Sequence, residues 1–260
     1  IYMPKLVKKL KIDEILSLQN IGIPRCKVKQ TVYVQNAIPF TDYRFSLFRD
    51  PFLWMYQNII GKLTYISLKK ANSIIVQSKW MKEEVAKRCK IPNNKVIVKR
   101  VRVNEPKDTE RTIAEHPIFF YPASPYRYKN IEIVIEACKK LRLENIGNYE
   151  VVLTITGKEN RLAESIAMDI KKNNLPIKLV GRLEPDQMAD YYKKSILLYP
   201  SYLETVGLPL AEAKLFNAPI IAADCKYAHD VVDGYINGTF FSHTNVISLC
   251  NIMKKFIEDY

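Results

Sequence analysis

Residues 196–224, ILLYPSYLETVGLPLAEAKLFNAPIIAAD, constrain the fold of this chain more than any other stretch. Two short apolar runs, ILLY at 196–199 and PIIAA at 219–223, stand about twenty residues apart. Uninterrupted apolar runs of that length suit strands buried on both faces, as in parallel sheets. Parallel neighbours need a crossover of this size, so the stretch reads as one βαβ unit, and the chain is expected to be α/β.

The turn between the first run and the intervening helix is where chemistry is expected. Gly207 lets the backbone approach a ligand closely, and Pro209 occupies a first-turn position that tolerates proline. The first amides of a helix lack intrahelical partners, and the helix dipole places fractional positive charge there, so a diphosphate can be held without a metal. Glu204 precedes this turn and Glu212 follows it, one carboxylate before the helix and one about a turn inside it, which suits two sets of ligand hydroxyls. Asn217 is placed to end the helix where glycine is usual.

The sequence ETVGLPLAEA followed by PIIAAD resembles the signature of retaining glycosyltransferases of the GT-B fold, group 1 or family 4 type, with seven residues between its two glutamates. The resemblance implies two Rossmann-like parallel-sheet domains. It further implies that Glu204 lies beside the donor sugar, that Thr205, Val206, Gly207 and Leu208 offer backbone to sugar and diphosphate, and that Glu212 binds the ribose. In the loop PASPYRYKN, Lys129 matches the family's lysine, whereas Pro122 and Ala123 stand where a glycine and an arginine are usual; Arg127, which the family pattern does not supply, is expected to act as the substitute cation. Gly181, Arg182 and Leu183, after the run IKLV, match positions that meet the nucleotide base. In VYVQNAIPF, the tip facing the donor sugar carries Gln35 and Asn36 in place of the frequent histidine; these can hydrogen-bond a hydroxyl but cannot titrate near neutral pH. A structural turn explains that tip equally.

Elsewhere the residues alternate helical and strand patterns. In residues 1–103, a short basic helix precedes the runs EILSL and TVYVQN. Phe52, Tyr56, Ile59, Leu63 and Ile66 then recur at spacings of four and three, giving a helix over 51–70 one apolar face. SIIVQS follows, then a helix that Ser78 is placed to cap, then KVIVK. Residues 104–116, NEPKDTERTIAEHP in large part, are polar and aperiodic and read as a linker. From 117 to 260 a second series runs through IFFY, a helix, VVLTIT, a helix, IKLVG, the unit at 196–224 and a last amphipathic helix from about 246 to 257. No glycine occurs before Gly22, so the opening strand and glycine-rich loop usual in this fold have no candidate, and the first domain is expected to be partial.

Composition narrows the partners. The five cysteines are scattered and the three histidines lie at no ligand spacing, which favours neither a disulfide framework nor a zinc site and fits a reducing cytoplasm. No run of membrane-spanning length is visible. Residues 1–103 hold 21 Lys and Arg against 6 Asp and Glu, a net +15 within a chain of +13 overall. The basic half should therefore meet something anionic, such as a membrane surface at which the protein is peripheral.

The resemblance implies a metal-independent hexosyltransferase, with no cofactor, moving a sugar from a nucleotide sugar to a glycan or lipid-linked acceptor in lipopolysaccharide or other cell-surface polysaccharide synthesis. Two alternatives stay open at this point. One is a nucleotide-sugar epimerase or a phosphorylase on the same fold, which needs a titrating group or a bound phosphate-type cofactor in the cleft. The other is a non-catalytic basic binding module, although no helix-turn-helix, zinc finger or aromatic RNA-binding motif is present and nucleic acid is not expected as a partner.

Overall fold

Strands whose side chains are apolar on both faces can only sit in the middle of a sheet covered by helices, and that is where the computed structural model, which describes residues 2–106 and 108–260, places them. Ile1 and Lys107, within the expected first domain and linker, lie outside the described residues. The chain divides into two compact units, one reaching to Arg102 and including Leu203–Val206, the other formed by Val103–Tyr202 and Gly207–Tyr260. Both are α/β with parallel sheets.

In the first unit α1 (Tyr2–Lys9) leads to β1 (Glu14–Ser17) and β2 (Lys29–Tyr33). A single turn at Ile38–Phe40 and one long helix follow, made of α2 (Pro51–Met55), a π turn (Tyr56–Ile60) and α3 (Gly61–Lys70). Then come β3 (Ser73–Val76), α4 (Lys79–Cys89) and β4 (Val96–Val98). Its four described strands pair in chain order, β1-β2-β3-β4, all parallel.

The long helix departs from the usual rule that the apolar stripe turns inward. Its buried residues are Gln57, Gly61, Thr64 and Leu68, whereas Phe52, Ile59, Leu63 and Ile66 are exposed. Packing explains the inversion. The Gln57 amide donates to the Tyr43 carbonyl at 2.6 Å and accepts from the Phe45 amide at 3.2 Å, so a buried polar group is satisfied by the preceding loop. Gly61 lets the helix close on Pro39, since an added Cβ would stand 3.2 Å from the proline Cβ. Both faces repeat at four and three, and periodicity alone selects the apolar one.

A second difference concerns Ser78. It holds the position before α4 in extended conformation, but its hydroxyl donates to the Thr205 carbonyl at 2.6 Å and makes no cap hydrogen bond to the helix.

The second unit runs β5 (Ile118–Tyr121), α5 (Ile131–Leu143), β6 (Glu150–Leu153), α6 (Arg161–Lys172), β7 (Ile177–Leu179), α7 (Pro185–Lys194), β8 (Ile196–Tyr199), α8 (Leu208–Leu215), β9 (Ile220–Ala223), α9 (Lys226–Val232), β10 (Gly238–Phe241) and α10 (Val246–Glu258). Sheet order is β7-β6-β5-β8-β9-β10, so the direction of winding reverses between β5 and β8. β5, β8 and β9 are buried along their whole lengths, as their apolar runs require. The sequence pattern omits β10, an edge strand of mostly half-buried Gly-Thr-Phe-Phe, and the helices α7 and α9. The described part of the segment between Val103 and Pro117 forms neither helix nor strand. It is fastened to the end of α7, where the Arg111 guanidinium donates to the carbonyls of Tyr192 (3.0 Å) and Ser195 (3.2 Å).

The inverted helix predicts opposite costs for two leucines. Leu68→Ala, at a fully buried position, should destabilise by about 2–5 kcal/mol. Leu63→Ala should stay within about 0.5 kcal/mol of the parent in urea unfolding. The reverse ranking would show that the apolar stripe is the inner face.

Candidate active site

Open parallel sheets bind ligands beyond the carboxyl ends of their strands at the point where winding reverses, because the two connecting loops there diverge. In the second unit that point lies between β5 and β8, paired through Phe119 with Ile196 and Phe120 with Leu197. The strands end in Tyr121 and Tyr199, whose rings meet edge to face with centroids 5.5 Å apart, both fully buried. The Tyr121 hydroxyl donates to the Lys129 carbonyl at 2.8 Å, and the Lys129 ammonium stands 6.0 Å from the centre of the Tyr199 ring and 5.7 Å from that of Tyr128. The end of β5 thus fixes the backbone of Lys129, while the end of β8 supplies an aromatic face for its charge.

Three further ties hold the loops after these strands together. Asn130, in left-handed conformation (φ +57°), donates from its side-chain amide to the carbonyls of His243 (2.9 Å) and Pro200 (3.3 Å). The Tyr128 carbonyl accepts from the Ser201 hydroxyl and from the Tyr202 amide, each at 3.0 Å. Thr154, beyond β6, accepts from the Ala123 amide at 2.9 Å and donates to the Ala123 carbonyl at 3.1 Å. Sequence patterns give no signal for these partners, since a tyrosine or serine at a strand end looks like any other.

Gly207 opens α8 with φ +75°, a conformation that costs L-residues with a side chain. A Cβ there would also stand 3.0 Å from the Tyr227 ring, whose centroid is 6.2 Å from that of Tyr199. Tyr199 and Tyr227 therefore link the Lys129 side of the crevice to the start of α8. Pro209 falls in the first turn of α8 and Asn217 closes the helix with φ +51°, both as expected. From within α8, Glu212 Oε2 accepts from the Tyr192 hydroxyl at 2.6 Å. Burial, and then the neighbouring Glu212 carboxylate, push the Tyr192 phenol far above its ordinary pKa, so it remains a donor.

The remaining expected residues are spread more widely. Gly181 (φ +71°), Arg182 and Leu183 follow β7, two strands from β5 and hence about 10 Å away along the sheet. Arg127 stands 3.9 Å from Glu132 Oε1 and borders, with Glu136, Arg161 and Asp169, a groove of about 370 Å³ between α5 and α6. In the first unit, Asn36 Oδ1 accepts from the Ile38 amide at 2.8 Å, the geometry of a structural turn. Glu204, Thr205 and Val206 group with that unit, and the Thr205 carbonyl accepts from Ser78 and from the Trp80 indole (2.9 Å). His243, one of the three histidines at no ligand spacing, lies beside Asn130 and Tyr202. Its ring lies 5.7 Å from that of Tyr202, and burial lowers its pKa, which keeps it neutral at pH 7.

Residues 104–260 match the family model described as glycosyl transferases group 1. The O-antigen chain mannosyltransferase RfbU of Salmonella typhimurium is 22% identical over 214 residues, covering 80% of this chain and 56% of that protein. The chain thus spans little more than half the length of this curated relative. Solved structures share the fold at lower identity. TarM superposes with a TM-score of 0.72 at 16% identity over 98% of this chain and 50% of its own. Anabaena HepE, solved with UDP and glucose, gives 0.72 at 14% over 98% and 71%. The lipopolysaccharide outer core galactosyltransferase WaaB gives 0.69 at 13% over 99% and 69%.

Gly207→Ala should be costly on two counts, left-handed backbone and the crowding of Tyr227. A loss of about 1–3 kcal/mol in thermal or urea unfolding is expected. A variant as stable as the parent would show that the turn adapts.

Proposed function

The chain belongs to the group 1 glycosyl transferases, and on that premise we propose that it transfers a hexose, with retention of anomeric configuration, from a nucleotide sugar to a glycan or lipid-linked acceptor. The observation that carries the donor half of this reading is the seating of Lys129 over Tyr199, at the point where the sheet reverses its winding and beside the opening of α8 at Gly207. A cation and unpaired helical amides at one crevice suit a diphosphate. Their combined positive potential supplies what a metal otherwise would, so no metal or other cofactor is required.

In the reaction, the bond between the sugar anomeric carbon and the diphosphate oxygen breaks while a bond from that carbon to the acceptor oxygen forms. Negative charge grows on the leaving diphosphate, and Lys129 with the amides of Gly207 and Leu208 stabilises it more in the transition state than before. The acceptor's proton passes to the departing phosphate on the same face, which needs no protein base. Glu212, with Oε2 committed to Tyr192, presents Oε1 to the ribose hydroxyls, and Glu204 orients the donor sugar. The likeness to an O-antigen chain mannosyltransferase and to a lipopolysaccharide outer core galactosyltransferase supports cell-surface polysaccharide synthesis as the setting.

Two substitution experiments test the assignment. Glu212→Ala should weaken nucleotide binding, because the ribose contact exists in ground and transition states alike, whereas Glu204→Ala should chiefly lower kcat. Equal losses of affinity, or none, would remove these roles. Lys129→Ala should weaken a nucleoside diphosphate by about 1.5–3 kcal/mol relative to the nucleoside alone, the worth of a charge-assisted contact. Parallel losses for both ligands in calorimetry would make Lys129 a structural residue.

A further inference from the structure

The outward face of the long helix is too large and too consistently apolar to be a scatter of surface residues. Phe52, Ile59, Leu63 and Ile66 are 64%, 52%, 59% and 54% exposed, and Phe48, just before the helix, is 95% exposed. From Phe52 to Ile66 they extend about 20 Å along one side of the helix. The opposite side is held by Gln57, Gly61, Thr64 and Leu68, so the stripe has no way to turn inward. Charge along the stripe is mainly positive, with Asp50 at the start of the helix the one acidic neighbour in sequence. No acidic residue occurs between Asp50 and Glu83, while Lys62, Lys69 and Lys70 lie on α3 itself and Arg49 adjoins Phe48.

We propose that this face seats the first unit on the interface of an anionic phospholipid bilayer, with the apolar stripe at the headgroup–acyl boundary and the flanking Lys and Arg at the lipid phosphates. An in-plane helix with an apolar face and a basic flank has the chemistry of an interfacial membrane helix. No helix among the described residues is long and apolar enough to cross a membrane, so the helix lies on the bilayer and does not span it. A second copy of the chain fits this surface poorly, because residues 1–103 carry +15 and two such faces would repel. The inference is independent of the donor reading, since lipid binding needs neither sugar nor nucleotide.

Vesicle flotation tests it. At physiological salt the protein should float with phosphatidylcholine vesicles containing about a third phosphatidylglycerol, stay behind with pure phosphatidylcholine, and detach in about 1 M salt. The variant Ile59→Ser/Leu63→Ser/Ile66→Ser should lower partitioning about tenfold with its circular dichroism and Tm unchanged. Lys62→Glu/Lys70→Glu should weaken binding to the anionic vesicles and serves alone should the serine variant fail to fold. Partitioning unaffected by the substitutions, equal flotation on neutral vesicles, no flotation at all, or a parent dimer in sedimentation velocity that the serine variant abolishes would each overturn the proposal.

Discussion

The pairing of β5 with β8 is the constraint on which the second unit depends. Residues 118–121 and 196–199 are adjacent in space although more than seventy positions apart in the chain, because the first winds outward through β6 and β7 and the second through β9 and β10. A sheet wound in both directions from one central pair leaves its two central loops diverging, and the space between them cannot be filled by a crossover helix from either. The buried pair of Tyr121 and Tyr199 closes the floor of that space, and their neighbourhood carries Lys129 on one side and Tyr227 and Gly207 on the other. The crevice is therefore a consequence of topology, and the residues around it supply its charge.

Backbone groups fasten that crevice more than side-chain pairs do. The carbonyls of Tyr128, Lys129, Pro200, Ser201 and His243 all accept side-chain donors there. Buried carbonyls of this kind would otherwise go unsatisfied where strands end, so the same bonds that order the loops also remove a desolvation cost. Asparagine shares with glycine the task of turning the chain: with only 8 glycines, left-handed backbone is taken up by Asn20, Asn130, Asn145, Asn148, Asn174 and Asn217. Asparagine tolerates that region better than other residues with a side chain, and at Asn130 its amide is also the clamp.

The long helix of the first unit illustrates where local pattern misleads. Its two faces repeat with the same spacing, one apolar and one of glutamine, glycine, threonine and leucine. Hydrophobicity ranks the first as the inner face. The tertiary structure ranks the second, because Gln57 finds two backbone partners and Gly61 admits Pro39. Ser78 is a smaller case of the same kind, since its hydroxyl has the local option of capping α4 and takes the distant Thr205 carbonyl instead.

The amino-acid sequence by itself determined the fold class, the parallel strands at 118–121, 196–199 and 220–223, the turn at Gly207 with Pro209 after it, and the closing of α8 at Asn217. Each of these follows from local rules: apolar runs must be buried on both faces, left-handed backbone favours Gly or Asn, and proline is tolerated where a helix amide has no partner. The same local reading pointed to Lys129, Glu204 and Glu212 only through the spacing of a motif. Only the tertiary structure decided that Tyr121, Tyr199 and Tyr227 surround the crevice, that Tyr192 holds Glu212, that Arg127 borders the α5–α6 groove, and that the edge strand β10 exists. Those outcomes depend on contacts between residues tens of positions apart, where a side chain's role is set by what the rest of the fold brings to it, and no local periodicity records that.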